Sequence, residues 1–408
     1  MTYYADSIDT ETHIRMRNYG DIHTLIMCNE CDGSLKSSKI PESIVELHMN
    51  NSYNIKLGKN SLPRYLERLY LGRKYNYPID SSIFPSTLTD MDLGGEYNHV
   101  FNSNSFPKTL IKLTLSSKYS QELRSESFPE TLEILKLNNY QKKLSGRSLP
   151  VNLVKLHLGS KYNHPINRKI FPVTLTELNL GGGYNHELTS RSLPKNIEIL
   201  HLPSNYPHKI RSEFFPESLI NLNVGKNYNE SFNRFSFPPN LTYFALNSEY
   251  TTRIRELIFP DTVKCLDMGR EYNHALTRDC LPEHLEILSL SAKYNHPIKT
   301  AFLPDNLTHL NLGKYFDNII DIRCLPSKLK YLNVHTISQL LSLNPQSEMI
   351  FFSVILINII YDPIPIKFPI LYPDPTNIPR SMEKIGTEIF NGYTFAKIIN
   401  PRTYMNGK

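Results

Sequence analysis

Residues 63–79 read PRYLERLYLGRKYNYPI, residues 150–166 read PVNLVKLHLGSKYNHPI, and residues 282–298 read PEHLEILSLSAKYNHPI. Each segment starts with Pro, carries apolar residues three, six and eight places later, and has Tyr twelve places later. Self-similarity at a fixed period is the signature of a repeat architecture. The chain is therefore a repeat array, and each motif in it has to be interpreted as a repeated position.

The prolines define the period of the array. Fourteen prolines, each preceded by an apolar residue, recur in register, and of the thirteen intervals between them twelve are 22 residues and one is 21. The short interval brings Tyr140 one place early, which predicts a deletion in a loop between Leu137 and Tyr140. The repeated prolines are Pro41, Pro63, Pro85, Pro107, Pro129, Pro150, Pro172, Pro194, Pro216, Pro238, Pro260, Pro282, Pro304 and Pro326.

The spacing L-x-x-L-x-L within each unit predicts one short strand per repeat, with two leucines facing inward and their neighbours facing outward. Proline cannot recur inside a central strand, so it must lie before the strand. Glycine follows the strand in half of the units, where we expect a backbone angle that other residues avoid. Stacked units bury the apolar stripe that a single unit cannot. The predicted fold is a β-rich solenoid, a leucine-rich-repeat-like coil of about 14–15 units with one long parallel sheet and little regular helix in the repeats.

These units resemble the FNIP repeats, which are leucine-rich-like units of 22 residues named for a Phe-Asn-x-Pro-Ile signature. Tyr replaces Phe here, as in YNYPI at Tyr75–Ile79 and YNHPI at Tyr162–Ile166 and Tyr294–Ile298. The family is best known from social amoebae and from giant viruses of amoebae. The resemblance implies a non-enzymatic protein-interaction scaffold and brings no catalytic residues. Some relatives carry an F-box, so one alternative is a substrate receptor of a ubiquitin ligase, although no F-box is visible in this sequence. A second alternative is a structural virion or matrix protein.

The ends of the array depart from the pattern. Residues 1–39 are predicted to form an N-terminal cap with one degenerate repeat, in which Ile22, Leu25 and Met27 occupy the apolar positions. Residues 40–336 form the predicted array. Residues 337–408 lose the register and are predicted to form a C-terminal cap, with a small separate domain as the alternative.

Composition excludes several classes of protein. The net charge is only +6, with no concentrated basic stripe, so no nucleic-acid partner is expected. The longest apolar run, Ile350 to Ile360, is too short for a membrane helix, which needs about 20 residues. Five cysteines suit a reducing compartment rather than a disulfide scaffold. We therefore expect a cytoplasmic protein, in the host cytoplasm if it is viral, without cofactors.

Three groups of residues could carry chemistry, and a structural interpretation is favoured for each. Cys28 and Cys31 form a CxxC, but no second pair completes a zinc site. Histidines recur two places after the Tyr row, where Glu, Thr and Gln also occur, so no metal is expected. Asp90 and Asp92 face outward from one strand and could suit an inverting glycosidase. However, Arg68 and a lysine on the next strand make a cross-strand charge ladder the simpler interpretation.

The outward strand positions carry the strongest functional signal. They are mostly charged in the first half of the array, whereas from about Ile199 onward they become mostly uncharged, with Asp267 as an exception. Aromatic residues with apolar and amide neighbours are typical of interface centres. The alternative is that the C-terminal cap folds over this half and buries it. The predicted partner-binding residues are Ile199, Tyr243, Ile287, His309 and Tyr331.

Overall fold

A computed structural model describes residues 2–5, 22–27, 40–59, 61–246 and 248–334, and the strand segments 343–344, 356–359, 389–390 and 393–397. The chain divides into two compact units. The first unit comprises Met1–His208 with Glu213–Leu219, and the second comprises Lys209–Ser212 with Ile220–Lys408.

The first unit contains a ladder of parallel strands, each paired in register with the next. The ladder begins with a strand at the N-terminus, Thr2–Ala5, that the sequence did not predict. Its strands are Thr2–Ala5, Thr24–Met27, Glu46–His48, Arg68–Tyr70, Asp90–Asp92, Lys112–Thr114, Ile134–Lys136, Lys155–His157, Glu177–Asn179 and Ile199–His201.

The second unit contains a parallel ladder of the same kind. Its strands are Asn221–Asn223, Tyr243–Ala245, Cys265–Asp267, Ile287–Ser289, His309–Asn311, Tyr331–Val334 and Leu356–Ile359. Tyr393–Lys397 pairs antiparallel with both Leu356–Ile359 and Ile389–Phe390. A separate parallel pair joins Ile320–Asp321 to Leu343–Asn344. The cap boundaries at residues 39 and 337 stay predictions.

The inner leucines form the core, as the spacing predicts. Leu156, Leu178 and Leu200 lie in register at the centres of three successive strands, and each is 0 % exposed. Each coil approaches its strand through a turn that the proline opens, as where the Leu66 N–H donates to the Pro63 carbonyl at 3.3 Å. The predicted solenoid class is confirmed, since the helical segments of the described residues are single 3₁₀ turns. These turns are Ser81–Ile83, Ser125–Ser127, Arg168–Ile170, Ser212–Phe214, Arg278–Cys280 and Ile322–Cys324.

Glycine after the strand has two physical causes, of which the sequence predicted one. Gly181 has φ of +70°, the left-handed conformation that favours glycine. Gly72 has no such angle, but a Cβ there would lie 1.7 Å from the Asn50 carbonyl oxygen of the preceding coil. In the 21-residue repeat Asn138 takes the left-handed conformation instead, at φ of 50°. The strands on both sides keep their register, and the Tyr140 ring still stacks on Tyr119 with the centroids 6.3 Å apart, which confirms that the deletion lies in this loop.

A column of buried tyrosines stabilises the return path of each coil. The hydroxyl of Tyr206 accepts a hydrogen bond from the Leu188 N–H at 2.9 Å, and equivalent bonds recur in other coils. The hydroxyl therefore satisfies a buried main-chain donor that lies outside the strand ladder. The asparagines that follow the tyrosines form a second ladder of bonds to the main chain, as where Asn163 Oδ1 accepts a hydrogen bond from the Asn185 N–H at 3.0 Å.

Candidate functional site

The outward face of the first unit carries a ladder of ion pairs between neighbouring strands. Strand neighbours about 4.8 Å apart bring side chains of opposite charge into contact. The cross-strand pairs are Glu46 with Arg68 at 3.2 Å, Asp90 with Lys112 at 2.5 Å, and Glu177 with Lys155 at 2.8 Å. The charges on this face are thus largely neutralised within the chain.

The two aspartates considered for catalysis are both engaged in this framework. Asp90 is paired with Lys112, and Asp92 Oδ1 accepts a hydrogen bond from the Gly94 N–H at 2.7 Å. Burial raises the pKa of Asp92, an effect that the two nearby lysines, Lys112 and Lys136, oppose. These contacts are structural, and they favour the charge ladder over a glycosidase pair.

The outward face of the second unit differs in chemistry. Tyr243, Cys265, Ile287, His309 and Tyr331 are register partners on five successive strands, and we call them the uncharged row. All five side chains are half-buried. The rings of His309 and Tyr331 stack with their centroids 4.4 Å apart. Burial lowers the pKa of His309, which favours its neutral form at neutral pH.

Four of the five predicted binding residues therefore lie in one row, whereas Ile199 belongs to the first unit. Sequence reasoning missed Cys265, although it occupies the same repeat position as its neighbours. Burial raises the pKa of the Cys265 thiol to about 12, so it remains a neutral thiol. The strand Leu356–Ile359 continues the ladder beside Tyr331–Val334, edge to edge. This described strand does not lie over the uncharged row.

A second outward row runs beside the uncharged row. Its members have short or amide side chains, with one carboxylate, Asp267. They are Asn223, Ala245, Asp267, Ser289, Asn311 and Asn333. Asn311 donates its amide N–H to Ser289 Oγ at 3.2 Å, while Asn311 Oδ1 is buried and has no hydrogen-bond partner among the described residues. This row therefore contains a buried acceptor without a partner, next to aromatic and aliphatic side chains.

The histidine row has a structural explanation. The imidazole Nε2 of His274 lies 2.8 Å from the Thr251 carbonyl oxygen, and His186 Nε2 lies 3.2 Å from the Asn163 carbonyl oxygen. Each ring also packs edge-on against the tyrosine two places before it. The described residues contain no group of three His, Cys, Asp or Glu side chains that could hold a metal ion. Cys28 and Cys31 lie outside the described residues.

A surface groove of about 590 Å³ lies beside three strands of the second unit. Most of its polar side chains have partners within the chain, such as Lys264 with Glu286 at 2.9 Å and Asn306 with Lys328 at 2.6 Å. The groove therefore leaves few polar groups for a ligand. In the part of the chain that the structure describes, no helix has the length and apolar character needed to cross a bilayer.

The repeats match a known family of repeat sequences. The model of the FNIP Repeat family matches residues 53–96, 97–140, 140–183, 184–223, 208–249 and 294–336. The fold resembles CroV588, a circular leucine-rich-repeat protein, with 24 % identity, a TM-score of 0.62, and coverage of 80 % of this chain and 52 % of that one. This chain thus spans about half the length of CroV588.

The fold also resembles a chain of the mouse RP105/MD-1 complex, with 14 % identity, a TM-score of 0.53, and coverage of 81 % of this chain and 67 % of that one. Both likenesses are to the fold alone. No curated protein sequence matches the chain.

Proposed function

The chain belongs to the FNIP repeat family, and from that premise we propose that it is a non-enzymatic scaffold that binds another protein. The proposed contact surface is the outward face of the second unit, centred on Tyr243, Ile287, His309 and Tyr331. Ile199, the fifth predicted residue, lies in the first unit and is not part of this surface. Free cysteines at Cys265, Cys280 and Cys324 suit a reducing compartment such as the cytoplasm.

The uncharged row is the observation that carries this proposal. Most equivalent positions in the first unit form paired charges, whereas here five neighbouring strands present aromatic, aliphatic and neutral polar side chains. Charged residues are depleted and Tyr is enriched at the centres of protein interfaces. Tyr also supplies a large contact area with a polar end, which suits it to a binding hot spot. Repeat solenoids commonly use such extended surfaces for binding.

Affinity purification of the tagged chain from its native host cell, with identification of bound proteins by mass spectrometry, tests the proposal. Each candidate partner is then purified and its affinity measured with the double variant Tyr243→Ala/Tyr331→Ala. Tyr70→Ala, which removes an outward half-buried tyrosine from the first unit, is the matched control. We expect the double variant to weaken binding by at least about 2 kcal/mol and the control to leave it unchanged.

A melting temperature close to that of the wild type must accompany the loss of binding. If the double variant melts much earlier, the tyrosines are structural and the cap alternative is favoured. A partner that binds both variants equally would contradict the proposed surface. Cullin-type proteins among the partners would favour the ubiquitin-ligase alternative. Assembly of the chain with itself and with no other protein would favour the structural one.

A further inference from the structure

Asp267 is a lone carboxylate on the outward face of the second unit. Among the outward strand positions from Asn221 to Asn333, the other side chains are Asn, Tyr, Ala, Cys, Ile, Ser and His. Asp267 is half-buried, and no Lys, Arg or His of the described residues forms an ion pair with it. In the first unit, by contrast, Asp90 and Glu177 each contact a lysine.

The charge of Asp267 is not needed for its local structural role. Asp267 Oδ1 accepts a hydrogen bond from the Gly269 N–H at 2.9 Å, which helps to hold Gly269 at φ of 71°. Asn179, at the same repeat position, accepts the same bond from Gly181 at 2.8 Å, with Gly181 at φ of 70°. A neutral amide therefore supports this turn as well as a carboxylate does.

A charge that the turn does not need is costly at this site. Burying a carboxylate without a counter-charge opposes folding, because the ion loses water and gains no partner. Burial accordingly raises the pKa of Asp267. Oδ2 of Asp267 makes no hydrogen bond with any described residue, so half of the carboxylate remains available as an acceptor.

The outward residues next to Asp267 have small side chains. Ala245 and Ser289 are its register partners on the two adjacent strands, and Cys265 is the outward residue on its own strand. All three are short. The longer side chains of Tyr243 and Ile287 lie in the neighbouring row, on the strands on either side. The carboxylate is thus flanked by short side chains and bordered by two apolar anchors.

We infer that the partner of this face is a polypeptide segment that places a lysine or arginine against Asp267 and apolar side chains against Tyr243 and Ile287. The inference rests on the proposed function and specifies the chemistry of the partner. Charge complementarity supports it: a single unpaired carboxylate in an otherwise uncharged surface is matched by one cation. A charge-assisted hydrogen bond to Oδ2 would be strong there, because the contact excludes water.

Selection of a displayed library of random peptides on the whole chain tests this inference. Enriched peptides are synthesised and their affinities measured for the wild type and for Asp267→Asn, which keeps the acceptor for Gly269. Each peptide is also made with its lysine replaced by norleucine or its arginine by citrulline, which removes the charge. Asp92→Asn is the matched control, since Asp92 makes the same bond to Gly94 on the first unit.

We expect the enriched peptides to carry Lys or Arg beside apolar residues. Removing the peptide charge should weaken binding to the wild type about tenfold or more, equal to about 1.4 kcal/mol, and should have little further effect on Asp267→Asn. Asp92→Asn should bind like the wild type. Asp267→Asn should melt no earlier than the wild type, so a loss of binding cannot be ascribed to unfolding.

Failure of the inference and failure of the proposed function give different results. Some peptides could lose affinity for Tyr243→Ala/Tyr331→Ala and yet lack a basic residue, or bind Asp267→Asn as tightly as the wild type. That result would refute the contact between a cation and Asp267 but would still support the docking face. Peptides that bind the double tyrosine variant unchanged, or a selection that enriches none, overturn both. Self-association of the chain through this face, lost in the double tyrosine variant, also overturns the inference, because the occupant would be a second copy.

Discussion

Truncation of one inner leucine measures how strongly the coils depend on one another. Leu178 is 0 % exposed and lies in register between Leu156 and Leu200, which are equally buried. Leu178→Ala removes three carbon groups, and at about 0.8 kcal/mol each the lost transfer free energy is about 2.4 kcal/mol. The main-chain ladder holds the neighbouring strands apart, so the cavity should not collapse. The expected total cost is about 2–5 kcal/mol.

Urea denaturation followed by circular dichroism measures this cost. Val173→Ala is the matched control, since Val173 lies in the same coil and is 80 % exposed. It should change the free energy of unfolding by no more than about 0.5 kcal/mol. Because each coil contacts mainly its neighbours, hydrogen exchange should accelerate most in the strands that flank Leu178. A cost for Leu178→Ala below about 1 kcal/mol, or one equal to that of Val173→Ala, would refute the inward placement.

Gly181→Ala should destabilise the chain strongly in the same urea titration, because Gly181 has φ of +70° and a Cβ would lie 1.7 Å from a carbonyl oxygen of the preceding coil. Gly182→Ala is the control and should leave the stability unchanged, because a Cβ at Gly182 would meet open space. Tyr206→Phe should cost about 1–3 kcal/mol by calorimetry, because the buried Leu188 N–H loses its acceptor, and an unchanged melting temperature would contradict that bond. Burial raises the pKa of Asp267, so its ionisation opposes folding. Asp267→Asn should therefore melt later than the wild type at neutral pH, and this gap should close as the pH falls through the raised pKa. A gap that is absent or constant across the acid range would show that ionisation of Asp267 carries no cost.

Much of the fold follows from the repeat because its positions are local. Proline before the strand, leucine at its centre and tyrosine in the return path each act within one coil or on the next coil. Their spacing therefore predicts the strand and its inward face. The strand Thr2–Ala5 lies one period of 22 residues before Thr24–Met27, but it was not predicted, because Tyr3 and Ala5 stand where the next coil has Leu25 and Met27. Only the structure explains why residue 72 is a glycine, since the backbone of the preceding coil leaves no space for a Cβ at Gly72.

The candidate site was predicted in part. The loss of charge along the outward positions indicated Tyr243, Ile287, His309 and Tyr331, because residues one period apart must be neighbours in a parallel ladder. The absence of a cation beside Asp267 could not be predicted in this way. The sequence places lysines and arginines on many coils, and only side-chain geometry shows which of them reach a carboxylate.

The sequence by itself thus determined the solenoid class, the register of its strands and the chemistry of each outward row, because a fixed period converts sequence distance into spatial adjacency. Tertiary structure alone decided which polar groups are satisfied. It showed which charges of the predicted cross-strand ladder form ion pairs, that the tyrosine hydroxyls bond the turns, and that Asp267 holds a desolvated carboxylate without a counter-charge. Those outcomes depend on distances of a few ångströms between side chains of different coils, which no spacing of residues encodes.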